Sequence, residues 1–123
     1  MKHYTEQELL EKENINIQNS IIKKIDLNIV GHYGNTVSVE VQCKNCIAIS
    51  GWNNTKSAGL VIKELIVLLG LDLENGRRLS SIQNEPCRLV VEGGMLGKCV
   101  GIGHFMNDEF VLTEELMTTF QGG

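Results

Sequence analysis

Residues 36–43, TVSVEVQC, are the stretch that decides the fold of this chain. Valine or cysteine occupies every second position and polar residues stand between them, which is the pattern of a strand with one buried face. Lys44-Asn45 has the length of a two-residue hairpin turn. Residues 46–50, CIAIS, then predict the returning strand. The pattern therefore predicts a β-hairpin near the middle of the chain.

Upstream of this hairpin, residues 14–30 also alternate between apolar and polar side chains, and we predict extended chain there with a break or bulge at Asn19-Ser20. Thr5 and Glu8 have the spacing of a capping box, which predicts a short helix over residues 6–12. The alternative for residues 1–13 is a loosely attached arm.

Downstream of the hairpin, residues 51–55, GWNNT, predict a loop that leads into a helix over residues 56–69. Apolar side chains recur in that segment at helical spacing and on more than one side, so we expect a deeply buried helix. Gly70 is a typical residue for its C-terminal end.

The last part of the chain predicts shorter elements. Turns or loops are predicted over 31–35, 71–85, 93–97 and 107–109, and strands over 87–92, 98–106 and 110–112. A short helix is predicted from Thr113, and residues 121–123 are predicted to be a disordered tail. Strands and helices do not alternate as in parallel sheets. We therefore predict one α+β domain over residues 1–123, with a mainly antiparallel sheet, one central buried helix and short terminal helices.

The composition limits the classes of function. The chain has 123 residues, 42% of them hydrophobic, and a formal net charge of −4. This charge argues against binding to DNA or RNA polymers, which requires clustered Lys and Arg. No apolar run approaches the ~20 residues of a membrane span. We therefore expect a cytoplasmic protein without membrane contact, whose four cysteines are reduced.

The first candidate site is the strand-to-helix connection, Trp52, Asn53, Asn54, Thr55 and Lys56. Unpaired amides at a helix N-terminus favour an anion, Lys56 adds positive charge, and Trp52 offers a face for a base. These features suit a small phosphorylated nucleotide. The alternative is ordinary helix capping beside a core tryptophan. The Walker pattern is absent, so the segment does not indicate an NTPase.

The second candidate site is the end of a strand, where His104, Phe105, Asn107 and Asp108 follow one another closely. An aspartate near a histidine can orient it for acid–base chemistry, but no activated nucleophile accompanies them. The alternative is a turn in which Asp108 bonds to local backbone. Arg88 lies within an apolar strand and must reach either an acidic side chain or a ligand phosphate.

The cysteines form a third pattern. Cys43 and Cys46 have the spacing of half a zinc site, and Cys87 and Cys99 could complete a four-thiolate set. The second pair lacks the short spacing of zinc ribbons, and free cysteine is also a common small buried residue. We assign no metal and no cofactor.

The order of several motifs resembles a family of small proteins encoded by phages and prophages. The matching segments are Gly51-Trp52, Ile62–Gly70, Arg88-Leu89 and Ile102–Phe110, and the resemblance covers roughly residues 17–111. This family is connected with the Thoeris anti-defense 1 proteins. The glycine-rich loop of the family is shorter here, a tryptophan replaces a smaller aromatic residue, and the cysteines have no counterpart.

The resemblance implies a phage-type counter-defence protein that sequesters a cyclic nucleotide immune signal, an isomer of cyclic ADP-ribose, without cleaving it. It also implies a homodimer or a larger homo-oligomer. The ligand would contact the residues of the first two candidate sites together with Arg88. Two alternatives remain open: an inhibitor or accessory protein that binds another protein and no small ligand, and a small nucleotide-degrading enzyme that uses His104 and Asp108 as acid and base.

Overall fold

The computed structural model describes residues 2–30, 36–44, 46–70, 84–93 and 97–119, without the side chains at 27–30, 36–37, 52–57 and 119. The elements in chain order are α1 (Glu6–Leu10), β1 (Ile15–Val30), β2 (Thr36–Cys43), β3 (Ile47–Asn54), α2 (Thr55–Leu69), β4 (Glu85–Glu92), β5 (Lys98–Gly103), β6 (Phe110–Leu112) and α3 (Thr113–Thr119). The predicted α+β class is confirmed.

The six strands form one antiparallel sheet in the order β3-β2-β1-β4-β5-β6. The long central strand β1 serves two partners: its first half, Ile15 to Ile22, pairs with β4, and its second half, Ile22 to Val30, pairs with β2. Because these partners join different halves of one strand, the sheet curls. The curl brings β3 close to β5, although the two strands do not pair.

The central helix α2 packs on the inner face of the curled sheet, as the sequence predicts. Its buried face consists of Ala58, Val61, Ile62, Leu65, Leu68 and Leu69. These side chains share one core with Ile22, Val41, Ile49, Leu89 and Ile102 from five different strands and with Leu116 from α3. At 25 cal/mol per Å² of apolar area, a core of this kind is the main stabilising contribution to the fold.

A smaller core on the outer face of the sheet is closed by the N-terminal segment. It contains Tyr4, Leu9, Val90 and Phe110. The predicted capping box is confirmed, because the Thr5 side chain accepts from the Glu8 amide while the Glu8 carboxylate accepts from the Thr5 amide. Tyr4 also exchanges two backbone hydrogen bonds with Phe110, of 2.8 and 2.9 Å. The N-terminal segment is therefore docked on the sheet and is not a loosely attached arm.

The predicted loop over residues 51–55 is wrong, because β3 continues through Asn54 and pairs with β2 as far as Thr36. The polar composition of this stretch concealed the strand, since ladder pairing uses backbone groups and does not require apolar side chains. Gly51 lies against the flexible side chain of Met117 on α3. A Cβ atom at this position would lie 2.6 Å from the Cε atom of Met117.

The predicted break at Asn19-Ser20 is also wrong. These residues pair with Arg88 and Cys87 in an uninterrupted ladder, and the irregularity of β1 lies further along, between Ile22 and Lys24. Other predicted element ends shift as well; the largest of these shifts are that α1 ends at Leu10, β4 begins at Glu85, and β5 ends at Gly103. The predictions for residues 31–35, 71–83, 94–96 and the tail 121–123, and for position 45 of the hairpin turn, lie outside the described residues. In the described part of the chain, no helix has the length and apolarity to cross a membrane.

Candidate functional site

Arg88 lies at the centre of the first cluster of predicted site residues. Its Nε atom donates to the carbonyl oxygen of His104 at 2.9 Å, and its Nη2 atom donates to that of Asn107 at 2.8 Å. The guanidinium carbon lies 4.5 Å from the centre of the Phe110 ring, and Nη1 lies 3.9 Å from a Glu6 carboxylate oxygen. The fork of donors, which suits a phosphate, therefore holds the loop at residues 104–109 against the sheet.

The loop itself is held by its own side chains. The Nδ1 atom of His104 accepts from the backbone N–H groups of Met106, at 2.9 Å, and Asn107, at 2.8 Å. The Asp108 carboxylate accepts from the Glu6 N–H at 2.6 Å, at the start of α1. These side chains therefore satisfy backbone N–H groups of the loop and of α1. Phe105 points outward from the same loop with 38% of its surface exposed.

The second set of predicted residues lies at the other end of α2. Trp52, Asn53 and Asn54 end β3, and Thr55 and Lys56 begin α2; their side chains lie outside the described part of the structure. Gly70 follows the last residue of α2, and a Cβ atom there would lie 3.2 Å from Nε2 of His104. A helix of 15 residues is ~22 Å long. The structure thus brings Arg88 together with the loop at 104–109 and places both far from the N-terminus of α2.

A cleft opens between β3 and β5, which the curl of the sheet brings close together without pairing. Its volume is about 710 Å³, within the 300–1,000 Å³ of ordinary ligand pockets. Its walls come from β3, β5, α3 and the start of β1. They comprise Lys12, Ile15, Ile47, Ala48, Ser50, Gly51, Glu92, Lys98, Cys99, Val100, Leu112, Thr113, Glu114, Glu115, Met117 and Thr118.

Three contacts fix the shape of this cleft. The Thr113 hydroxyl donates to the Ala48 carbonyl at 3.1 Å, which ties the start of α3 to β3. Met117 packs on the Cα position of Gly51, one turn further along α3. The Tyr4 hydroxyl donates to the carboxylate of Glu115, also on α3, at 2.8 Å, and this bond raises the pKa of Tyr4. The cleft is therefore walled by elements that are anchored to one another.

The chemistry of the cleft lining is mixed. Lys12 and Lys98 supply ammonium groups and Ser50 supplies a hydroxyl, while the hydroxyls of Thr113 and Thr118 already donate to backbone carbonyls. Glu92, Glu114 and Glu115 supply carboxylates, and apolar side chains such as Val100 and Met117 complete the wall. Phosphate, hydroxyl and apolar portions of one ligand could each find a suitable partner there.

The four cysteines lie in the main core or against it, where the neighbouring Cys87 raises the pKa of Cys43 and burial raises the pKa of Cys99 to about 12. The Cys99 thiol donates to the Gly101 carbonyl oxygen at 3.4 Å. All four are free thiols. Among the described residues, which include these four, no three His, Cys, Asp or Glu side chains are grouped as a metal site would require.

Comparisons of this chain with protein-family models, with curated proteins and with solved structures found no match. The relationship to the phage family therefore stays a prediction that rests on the quoted motifs.

Sequence reasoning missed the cleft, since its residues come from five separate segments and none of them forms a motif. Ser50 and Gly51 are small residues within 47–54, but the position of this strand at the edge of the described sheet follows only from the topology. Trp52, which the sequence did single out, directly follows the two β3 residues of the cleft wall.

Proposed function

We propose that this protein binds and sequesters a small nucleotide in the cleft between β3, β5 and α3, without cleaving it. The ligand class is the one that the resemblance implies, a cyclic ADP-ribose isomer, and the role is that of a phage-type counter-defence protein in the host cytoplasm. The observation that carries the proposal is the cleft of about 710 Å³ with anchored walls.

The lining supports a nucleotide because it offers a partner for each portion of such a molecule. Lys12 and Lys98 can bind phosphate oxygens. Carboxylates of the kind that Glu92 and Glu114 provide accept hydrogen bonds from ribose hydroxyls in nucleotide-binding folds. The apolar wall, with the adaptable side chain of Met117, can receive a base.

The arrangement of the loop at residues 104–109 supports binding over catalysis. His104 accepts two backbone hydrogen bonds through Nδ1, and Asp108 accepts one from Glu6. The Nδ1 atom of His104 and the Asp108 carboxylate are thereby engaged in holding the loop, and neither residue lines the cleft. An acid–base pair would need a free path to a bound ligand.

Titration calorimetry with cyclic ADP-ribose isomers tests the proposal. Wild-type protein should bind one isomer without turnover, and Lys98→Gln should weaken binding by about 10- to 100-fold, since a hydrogen bond to a charged group contributes about 1.5–3 kcal/mol. Lys63→Gln is the matched control, because Lys63 is exposed on α2 and does not line the cleft. Equal loss of affinity in both variants contradicts the proposal. The proposal is also contradicted if wild-type protein binds none of the isomers.

A second candidate function is binding to another protein, and one observation favours it. Phe105 and Met106 expose 38% and 77% of their surfaces on the loop that Arg88 holds in place. Aromatic and methionine side chains presented on a rigid loop are typical of binding surfaces. Capture of a host protein by wild type and not by Met106→Asp, together with no nucleotide binding, would establish this alternative.

A further inference from the structure

The outer side of α2 is a place where the sequence pattern and the structure differ. Apolar side chains recur on more than one side of this helix, which is typical of a helix that is buried all round. The structure buries one side in the main core and leaves Leu60 and Val67 with 38% and 70% of their surfaces exposed. Between residues 58 and 69 the only charged side chains are those of Lys63 and Glu64. We refer to Leu60, Lys63, Glu64 and Val67 as the α2 face.

The exposed apolar surface continues onto the neighbouring loop. A Cβ atom at Gly70, directly after α2, would lie 3.2 Å from Nε2 of His104, so the loop at residues 104–109 lies beside the C-terminal end of the helix. Phe105 and Met106 on this loop are 38% and 77% exposed. Among the described residues, six large apolar side chains are exposed, and four of them belong to this loop or to the α2 face. A concentration of this kind indicates an interaction surface.

The arrangement of the α2 face around the helix favours a second copy of this chain as the partner. At about 100° per residue, Leu60 and Val67 form one stripe along the helix, and Lys63 and Glu64 lie about 50° to either side of it. When two copies of such a helix lie side by side in the same direction, the charge on one flank meets the opposite charge on the other copy. In an antiparallel pair, Lys63 would instead meet Lys63 of the second copy.

The surroundings of the stripe leave room for a second helix. A Cβ atom added at Gly59 would have no other atom within 4 Å, and Lys63 is exposed. The Glu64 side chain is 37% exposed, although its carboxylate also lies 3.8 Å from Nε2 of His3. Both charged groups of the α2 face are therefore accessible to a partner.

We propose that the α2 face is a dimer interface at which two copies of this chain pack their α2 helices in parallel about a twofold axis. The apolar stripes of the two copies contact each other, and Lys63 of each copy pairs with Glu64 of the other. The axis generates the same contacts twice. Because the surface is small for a permanent dimer, we expect a dissociation constant of about 10–100 µM. The dimer forms independently of nucleotide binding, since no residue of the α2 face lines the cleft.

Sedimentation velocity at protein concentrations from about 5 to about 500 µM tests the proposal. Wild type should move from the monomer mass of 13.6 kDa toward twice that mass as the concentration rises. Val67→Asp should stay monomeric throughout, because association would bury an unpaired charge. Leu10→Asp is the matched control: Leu10 is 49% exposed on α1, outside the α2 face, so this variant should dimerise as wild type does.

Charge reversal tests the parallel arrangement. Lys63→Glu and Glu64→Lys each bring like charges together at two symmetric places, so each variant should dimerise about 10-fold more weakly than wild type. The double variant Lys63→Glu/Glu64→Lys restores opposite charges, and its dissociation constant should return to within about twofold of the wild-type value. Circular dichroism should show the wild-type spectrum for all these variants, since the substituted side chains lie at the surface.

Three results would each overturn the proposal. The first is a wild type that stays monomeric at every concentration, even if the α2 face then captures another protein. The second is equal dimerisation of wild type and Val67→Asp, and the third is a double variant that dimerises no better than the single charge reversals. Calorimetry with the nucleotide keeps this test apart from that of the cleft, because monomeric Val67→Asp should bind the nucleotide as wild type does.

Discussion

The loop held by Arg88 and the cleft beside β3 are the two regions of this molecule where polar side chains gather, and they use them in opposite ways. Around Arg88, polar groups are directed at one another: the guanidinium binds two carbonyls, His104 binds two amides and Asp108 binds a third. Around the cleft, the ammonium groups of Lys12 and Lys98 and the hydroxyl of Ser50 line an open volume.

The difference shows why residue type alone does not identify a site. An arginine, a histidine and an aspartate close together in a loop have the composition of a catalytic or phosphate-binding centre. Here the arginine and the histidine satisfy backbone groups of the loop, and the aspartate satisfies a backbone N–H at the start of α1. The cleft has an ordinary composition, but its lining includes the side chains of Lys98 and Ser50, which border an open volume. Function is better inferred from polar groups that the fold leaves available than from polar groups as such.

The largest expected effect on stability comes from Arg88→Leu. The change removes two hydrogen bonds to carbonyls and the contact of the guanidinium with Phe110, so the loop loses its anchor. We expect the free energy of unfolding to fall by about 3 kcal/mol in urea titrations. Lys24→Ala is the control, because Lys24 is 61% exposed and its ion pair with Asp26 is worth at most about 1 kcal/mol. Full stability of Arg88→Leu would show that the loop is not held in this way.

The largest expected effect on binding comes from Ser50→Trp. The indole would occupy the cleft from the β3 side, so affinity for the nucleotide should fall by more than about 30-fold while the midpoint of urea unfolding changes little. Leu60→Trp introduces the same side chain at an exposed position of α2 outside the cleft and should bind normally. If Ser50→Trp and wild type bound the nucleotide with equal affinity, the cleft would not be the binding site.

A smaller effect is expected for Asp108→Ala. The change removes the acceptor for the Glu6 N–H at the start of α1, which should cost about 1 kcal/mol of unfolding free energy. Nucleotide affinity measured by calorimetry should stay within about twofold of wild type, because Asp108 does not line the cleft. A loss of nucleotide affinity without a loss of unfolding free energy would indicate that the binding site is the loop at residues 104–109.

The smallest effect is expected for Ser20→Ala, and it has the opposite sign. The Ser20 hydroxyl is buried opposite Cys87 and, within the described residues, has no hydrogen-bond partner. Removing an unsatisfied buried hydroxyl should raise the unfolding free energy by about 1 kcal/mol. A decrease in the unfolding free energy would indicate that the hydroxyl has a partner such as a bound water.

The sequence predicts the fold better than the site because the two depend on different kinds of information. Alternation over residues 36–43 and the helical stripe of α2 are local, and both elements are found where the pattern places them. The extension of β3 through Asn54 depends on pairing with β2, which a polar sequence does not reveal. The cleft depends on the curl of the whole sheet, since Lys12, Ser50 and Lys98 come together only when β3 approaches β5.

Mass spectrometry of the small molecules released by denaturing the protein tests the central claim most directly. Wild type, Ser50→Trp and Asp108→Ala would each be incubated with extract from cells that make nucleotide immune signals, repurified, and denatured. We predict that wild type and Asp108→Ala release the same intact cyclic nucleotide and that Ser50→Trp, equally folded, releases none. Release of that nucleotide by Ser50→Trp and not by Asp108→Ala would contradict the account.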